Sequence, residues 1–370
     1  MLIIVMKLKR KEKRSCKKIN LALIFGGRSS EHEVSIQSAK NVALAVDKKK
    51  YKLILIGIAK SGKWFLQKRI ENPIDEFGQK VFFVPGGQGE LVDLSGLKTK
   101  LHADVIFPVL HGPNGEDGVV HGVFKVAEVP FVGAGVLGSA VGMDKDVMKR
   151  LLQQANISVA KYIVVHAYNR NDFSFTRVKK ELGLPLFIKP ANLGSSIGIS
   201  RVSTENEFYS ALDKAFGYDS KIIMEEYIEG REIECAILGS DNIKASVLGE
   251  IIPNVAKYGF FSYDAKYLDK NGAIFKIPAK LSKKQRGKAR VLSLKTFRVL
   301  GCDGMGRVDM FLTKNGKFIV NEINTIPGFT SESMYPKLWE ASGLSYGELI
   351  EQLIFLANKQ FKSKKKSELL

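Results

Sequence analysis

Short apolar runs alternate with amphipathic stretches along most of the chain. Asn20-Leu-Ala-Leu-Ile-Phe-Gly26 reads as a buried strand closed by Gly26-Gly27. Ser30 and Glu33 have capping-box spacing, and Val34, Ala39, Val42 and Ala45 then repeat at helical intervals, predicting a helix to about Ala45. Tyr51–Ala59, Val81–Val84 and Ala103–Leu110 are further strand candidates. Strands alternating with helices predict a parallel, Rossmann-like α/β unit over about 21–143. A helix then runs from Met143-Asp144-Lys145 to about Gln154, followed by strands at Tyr162–Val165, Leu186–Lys189 and Ile197–Val202, a helix at 204–215 and a strand at Ile222–Tyr227. This gives a smaller α+β unit over 144–227. The remainder, 228–360, is strand-rich (232–239, 243–250, 273–278, 304–313, 317–322), with helices at 282–300 and 345–358. Between them, 252–269 has aromatics, Gly and Asp without clean periodicity and reads as a long functional loop.

Composition narrows the class. The chain has 370 residues, 45% hydrophobic and 26% charged, ordinary globular values that exclude collagen, coiled coil and disorder and allow two to three domains. The formal charge is +19, but residues 1–20 carry eight Lys/Arg against one Glu, and 359–370 carry five Lys against one Glu. The segment 1–20 therefore reads as a disordered basic extension and 361–370 as a solvated basic tail, on an enzyme body suited to an anionic substrate rather than to nucleic acid. Cys16, Cys235 and Cys302 are too few and too scattered for a disulfide framework or a zinc site. The apolar Met1–Met6 precedes the basic run instead of following it, so it does not read as a secretory signal, and no apolar stretch is long enough to span a membrane. The expectation is a cytoplasmic protein without membrane insertion.

Three segments could carry chemistry. Lys189 ends an apolar strand and opens Pro-Ala-Asn-Leu-Gly194-Ser195-Ser196-Ile-Gly198, a small-residue loop whose backbone could approach phosphates. In Gly306-Arg307-Val308-Asp309 and Asn321-Glu322-Ile323-Asn324, adjacent strands would put Arg307, Asp309, Glu322 and Asn324 on one face. Two carboxylates and an amide oxygen suit Mg²⁺, and Arg307 could neutralise phosphate or an oxyanion. Glu225, Tyr227, Ile228 and Glu232 bracket a break between units where a nucleotide could be held. Gly133-Ala-Gly135-Val-Leu-Gly138 matches a dinucleotide pattern literally. It lacks the acidic residue about 20 positions later and reads as a turn feature.

With Phe25-Gly-Gly-Arg-Ser-Ser-Glu31-His-Glu-Val-Ser35, His111-Gly-Pro-Asn-Gly-Glu116-Asp-Gly, Met143-Asp-Lys145, Tyr263-Asp-Ala-Lys266-Tyr267 and Asn321…Pro327-Gly328…Ser333, these segments resemble, in order, the D-alanine–D-alanine ligases of the ATP-grasp superfamily. The resemblance runs from about Leu21 to Ala357 and implies a three-domain fold with ATP held between two α+β domains. It implies ligation of two D-alanines through a D-alanyl phosphate, for peptidoglycan precursor synthesis, with ATP and two Mg²⁺ or Mn²⁺ ions. Lys145 and Lys189 would bind phosphates. Glu225, Tyr227 and Ile228 would line adenine, and Glu232 would hold ribose. Asp309, Glu322 and Asn324 would hold the metals. Glu31, hydrogen-bonded with Ser195 and Tyr267, would take the first substrate's ammonium, with His32 and His111 nearby. Arg307 and the Gly328 N–H would receive the oxyanion, Ser333 and Lys266 the second substrate's carboxylate, and 252–269 would close as a lid. A homodimer is implied as well. The Tyr263, Lys266, Tyr267 arrangement favours an amine acceptor over the D-lactate of related ligases. The basic extension, Met305 and Ile326 depart from the family pattern.

Overall fold

The computed structural model describes residues 17–94, 101–254, 269 and 272–368. Cys16, Tyr263, Lys266, Tyr267 and most of the 252–269 loop lie outside the described residues. In the first sheet β1 (Ile19–Gly26) pairs in parallel with β2 (Tyr51–Ile58). Edge strand β3 (Trp64–Gln67) runs antiparallel to β2. A small antiparallel sheet, β4 (Val81–Phe83), β5 (Glu90–Asp93) and β6 (Leu101–His102), follows. Strand β7 (Val105–Val109) then returns to lie parallel to β1 on its other side, giving the order β3-β2-β1-β7.

From Leu21 on, strand β1 is apolar because both of its faces are covered. Leu21, Leu23 and Phe25 pack with Ile36, Ala39 and Val42 of α1 (His32–Ala45), while Ala22 and Ile24 pack with Phe124 on the opposite side. No capping box forms at α1: Glu31 is the N-cap without a side-chain cap bond, and Glu33 pairs instead with Lys60 at 2.6 Å.

Helices α2 (Val119–Val126) and α3 (Gly135–Met143) follow, neither expected from periodicity. The Gly133–Gly138 pattern is the start of α3. Gly138 lies so close to the Cys302 backbone that a Cβ would sit 2.8 Å from its Cα.

His121 of α2 is fully buried among Phe124 and Phe131, and neither ring nitrogen finds a hydrogen-bond partner among the described residues. Burial pushes its pKa down to about 4. The unfolded chain therefore binds this proton first. The stability contributed by the neutral ring is full above about pH 6.5 and is lost as the pH falls towards 4, roughly 3 kcal/mol in all. His121→Leu should remove that part of the acid sensitivity. Urea midpoints of both proteins at pH 7 and 4.5 test this, and parallel losses in the two would refute it.

Helix α4 (Lys145–Gln154) is capped by Asp144, whose side chain accepts from the Asp146 and Val147 N–H groups. The second sheet, order β10-β9-β11-β8, comprises β8 (Tyr162–His166), β9 (Leu186–Pro190), β10 (Ser200–Val202) and β11 (Lys221–Glu226), all paired antiparallel. It is backed by α5 (Phe175–Leu182) and α6 (Glu205–Phe216), the latter opened by a Thr204/Glu207 capping box. Strand β10 starts at Ser200 rather than Ile197 because Ser195, Ser196 and Gly198 take left-handed φ values of 52°, 59° and 72°. That turn cannot continue a strand.

The third sheet, order β14-β13-β12-β15-β16, is antiparallel. Its strands are β12 (Gly230–Gly239), β13 (Lys244–Pro253), β14 (Ala273–Lys276), β15 (Gly304–Thr313) and β16 (Phe318–Asn324). Helix α7 (Lys283–Val299) covers one face, and α4 adds Met148 and Leu152 to the same core. On the other side lie α8 (Met334–Glu340) and α9 (Tyr346–Glu368). Helix α9 runs ten residues past its expected end at 358, through the basic tail. Its buried Leu349, Ile350, Leu353, Ile354 and Ala357 anchor it, and lysines in a last turn favour continuation.

Candidate active site

The three units border one cleft of about 1400 Å³. Every described candidate except His32 lines it. The first unit supplies Glu31 and His111, α4 supplies Lys145, and the second sheet and its loop supply Lys189, Ser195, Glu225, Tyr227 and Ile228. The third unit supplies Glu232, Arg307, Asp309, Glu322, Asn324, Gly328 and Ser333. His32 is not among the lining residues. Its Nδ1 lies 2.8 Å from the Gly27 carbonyl, fixing the turn after β1.

The floor of the cleft is built by strand register. Asp309 stands opposite Glu322 on β16 and opposite Glu234 on β12, and Arg307 stands opposite Asn324. Directly opposed residues share a face, so three carboxylates form a row across three strands. Arg307 holds the row together. Its Nε donates to Asp309 Oδ1 at 2.8 Å, its NH2 group donates to Asp309 Oδ2 at 2.7 Å, and Nε lies 3.1 Å from Glu234 Oε2. Burial disfavours the guanidinium charge, but Asp309 and Glu234 outweigh it and push its pKa further up, so Arg307 is a permanent cation here. The Asn324 amide donates Nδ2 to Asp309 Oδ2 at 2.9 Å, which leaves its oxygen as the atom available to a cation. Glu234 was missed from sequence. The signal was present: in Glu232-Ile-Glu-Cys the acids alternate with Ile233 and Cys235 of the core.

This donor set is oxygen-only, as magnesium requires. Among the described residues it does not amount to a cluster of three acidic, His or Cys ligands able to cage a metal alone. Mg²⁺ is usually held by one or two carboxylates together with substrate phosphates and water.

Lysines face the row. Lys145 Nζ donates to the Leu193 carbonyl at 2.6 Å and lies 3.7 Å from Glu322. Lys189 pairs with Glu225, whose other oxygen lies 2.6 Å from Nζ of Lys149, a residue not anticipated from sequence. Burial alone would raise the Glu225 pKa, but the two lysines hold it down at about 2, while burial pulls the Lys149 pKa below its usual value. Beside them the Phe187 and Tyr227 rings, with centroids 6.2 Å apart and planes tilted by 42°, form an aromatic wall of the cleft.

At the far end Ser195 Oγ donates to Glu31 Oε1, joining the left-handed loop after β9 to the start of α1. Gly112 lies beneath them at φ 75°, and a Cβ there would come 2.6 Å from Ser29 Oγ and 3.2 Å from Glu31 Oε2, so no side chain fits. His111 lies 3.6 Å from Glu116 and 3.2 Å from the Ile326 carbonyl. Burial opposes charge on His111, but Glu116 and Glu31 raise its pKa above the ordinary value. Gly328 sits against Ser333, where a Cβ would approach Oγ to 2.6 Å.

Profiles of known families match both halves of the chain: that described as D-ala D-ala ligase N-terminus over residues 20–134, and D-ala D-ala ligase C-terminus over 151–355. The chain belongs to the D-alanine–D-alanine ligase family. Its mixed α/β architecture of several sheets fits a multi-domain ATP-grasp ligase, as the sequence resemblance implied. Among curated family members it is 48% identical to the D-alanine--D-alanine ligase of Oceanobacillus iheyensis over 92% of this chain and 95% of that one. It is 46% identical to D-alanine--D-alanine ligase A of Escherichia coli K12 over 92% and 96%. The solved D-alanine-D-alanine ligase of Coxiella burnetii superposes with a TM-score of 0.84 at 36% identity, covering 95% of this chain and 97% of that one. The VanG D-Ala:D-Ser ligase of Enterococcus faecalis gives 0.82 at 36% identity, covering 92% and 100%.

Proposed function

We propose that the protein joins two D-alanine molecules, consuming ATP, for peptidoglycan precursor synthesis. The observation that carries this reading is the single cleft. It gathers Lys145 and Lys189, an oxygen-rich carboxylate row with its arginine, and the part-buried Glu31–Ser195 pair.

Phosphoryl transfer is largely a matter of positioning and charge neutralisation. Lys145 and Lys189 hold the phosphates, Glu232 the ribose, and Glu225, Tyr227 and Ile228 the base. Asp309, Glu322 and Asn324 would hold two Mg²⁺ or Mn²⁺ ions, which neutralise charge on the transferred phosphoryl group. Glu31, fixed by Ser195, takes the ammonium of the first D-alanine, with His111 beside it, so that its carboxylate faces the γ-phosphate. Carboxylate oxygen attacks phosphorus, ADP leaves, and a D-alanyl phosphate remains. The amine of the second D-alanine then attacks the acyl carbon. Arg307 and the Gly328 N–H stabilise the oxyanion. The C–O bond to phosphate breaks, and phosphate and one amine proton are released with the dipeptide. By the family resemblance, Ser333 and Lys266 would receive the second carboxylate, and Tyr267 and the 252–269 segment, which lie largely outside the described residues, would complete the site and exclude water.

Among the described residues no helix is long and apolar enough to cross a membrane, in keeping with action in the cytoplasm. We propose a homodimer whose interface covers Val119, Val126, Val136 and Leu137, exposed apolar side chains on the adjoining helices α2 and α3.

Phosphate release from ATP should depend on D-alanine and Mg²⁺ together, with D-alanyl-D-alanine as the product. Equal turnover with L-alanine, or preference for D-lactate at neutral pH, would overturn the assignment. D-serine as a competing acceptor separates this activity from that in the name of VanG.

A further inference from the structure

Helix α4 carries Lys145 and Lys149 one turn apart. Lys145 reaches the cleft. Lys149 has no exposed surface and is absent from the cleft lining, so it cannot touch a ligand held there. Its ammonium lies 2.6 Å from Glu225 Oε1 and 5.7 Å from the centre of the Tyr162 ring. Glu225 is itself 4% exposed yet borders the cleft, and its second oxygen takes Lys189, which also borders the cleft. One buried carboxylate thus has two cations, of which only one can leave it for a ligand. A buried carboxylate deprived of its partner is strongly disfavoured. If Glu225 had Lys189 alone, moving that ammonium onto a phosphate would strand the carboxylate.

We propose that Lys149 is a positioning residue for nucleotide binding: it is the resident counter-ion that keeps Glu225 charged and fixed as an acceptor for the amino group of the base while Lys189 turns to the phosphates. This rests on the ATP-binding reading above. Lys149 acts through Glu225, so its loss falls on nucleotide affinity and base choice, and not on the amino-acid end of the cleft. Glu31 and Ser195 belong to other elements and keep their contact.

The test is calorimetric binding of Mg–ATP and Mg–inosine triphosphate to the full chain without D-alanine, alongside steady-state kinetics. Lys149→Met should weaken ATP binding about a hundredfold, the scale of breaking a buried ion pair. It should also erase much of the preference for the 6-amino over the 6-oxo base. The D-alanine KM and kcat at saturating ATP should stay within about threefold. Lys149→Arg, which keeps the charge, should recover most of the affinity. Adding Lys149→Met to Glu225→Gln should weaken ATP binding no further, since the charge to be balanced is gone. That double variant also serves if Lys149→Met alone fails to fold. Unchanged ATP affinity in Lys149→Met, equal losses in kcat and in both KM values, or full additivity in the double variant would overturn the proposal. Wild-type protein that binds ATP but forms no dipeptide would instead remove the ligase reading, and the binding arm would still decide the role of Lys149.

Discussion

Glu322→Gln lowers turnover by at least about a hundredfold, the scale of one strong electrostatic contribution at a reacting centre, and leaves the thermal transition at or above that of the wild type. The substitution keeps the shape of the side chain and deletes one negative charge from the row Glu234–Asp309–Glu322. The cation attraction of the site falls, and Lys145, 3.7 Å away, loses a counter-charge. Repulsion among neighbouring acids also falls, which is why the fold should not suffer. Turnover is measured at saturating ATP and D-alanine across a range of Mg²⁺ concentrations, with melting recorded in parallel. Near-normal turnover at low Mg²⁺ would take Glu322 out of the metal set.

The second large effect belongs to Arg307. A lysine there keeps a positive charge but cannot reproduce two parallel bonds to Asp309 together with the approach to Glu234. Arg307→Lys should reduce turnover about a hundred- to a thousandfold, as for loss of an oxyanion donor, while the protein stays folded. Arg307→Met makes a different demand. It leaves Asp309 and Glu234 half-buried or buried without their resident cation and should destabilise the fold by roughly 3–5 kcal/mol. Comparing the two variants separates catalysis from scaffolding. A lysine variant within about tenfold of wild type would show that charge alone suffices and that bidentate geometry contributes little.

How far the sequence exposed these residues depended on what surrounds each one. The β15 and β16 pair was readable because polar and apolar residues alternate there, and alternation survives any packing. Lys149 was not readable. A lysine one turn after Lys145 in a polar helix resembles any solvated face, and only the tertiary fold, which brings Glu225 of β11 and the Tyr162 ring of β8 to its ammonium, buries it. Helix α3 was hidden by its own composition, with Gly135, Gly138 and Gly142 within nine residues, a poor helix former in isolation. Packing overrides propensity there: a Cβ at Gly142 would meet Thr325 at 2.9 Å, and one at Gly138 the Cys302 backbone, so small residues let α3 lie against the third unit. Pro336 obscured α8 in the same way, although a proline in a first helical turn displaces no helical hydrogen bond. Met305 and Ile326, which depart from the family pattern, are both fully buried in the core shared by the first and third sheets, and their effect is on packing.

The long reach of α9 bears on how the chain is made. Its Leu349, Ile350, Leu353, Ile354 and Ala357 share one core with Leu21, Leu23 and Phe25 of β1 and Phe107 and Val109 of β7. On the ribosome, the first sheet therefore emerges with this face covered by α1 alone and waits for nearly the whole chain to be translated before the rest of its cover exists. Until then that face is open to chaperones, to other nascent chains and to proteases. The amino-terminal unit can collapse early around Phe124 and its neighbours, but it becomes fully closed only when the far end of the polypeptide folds back across it.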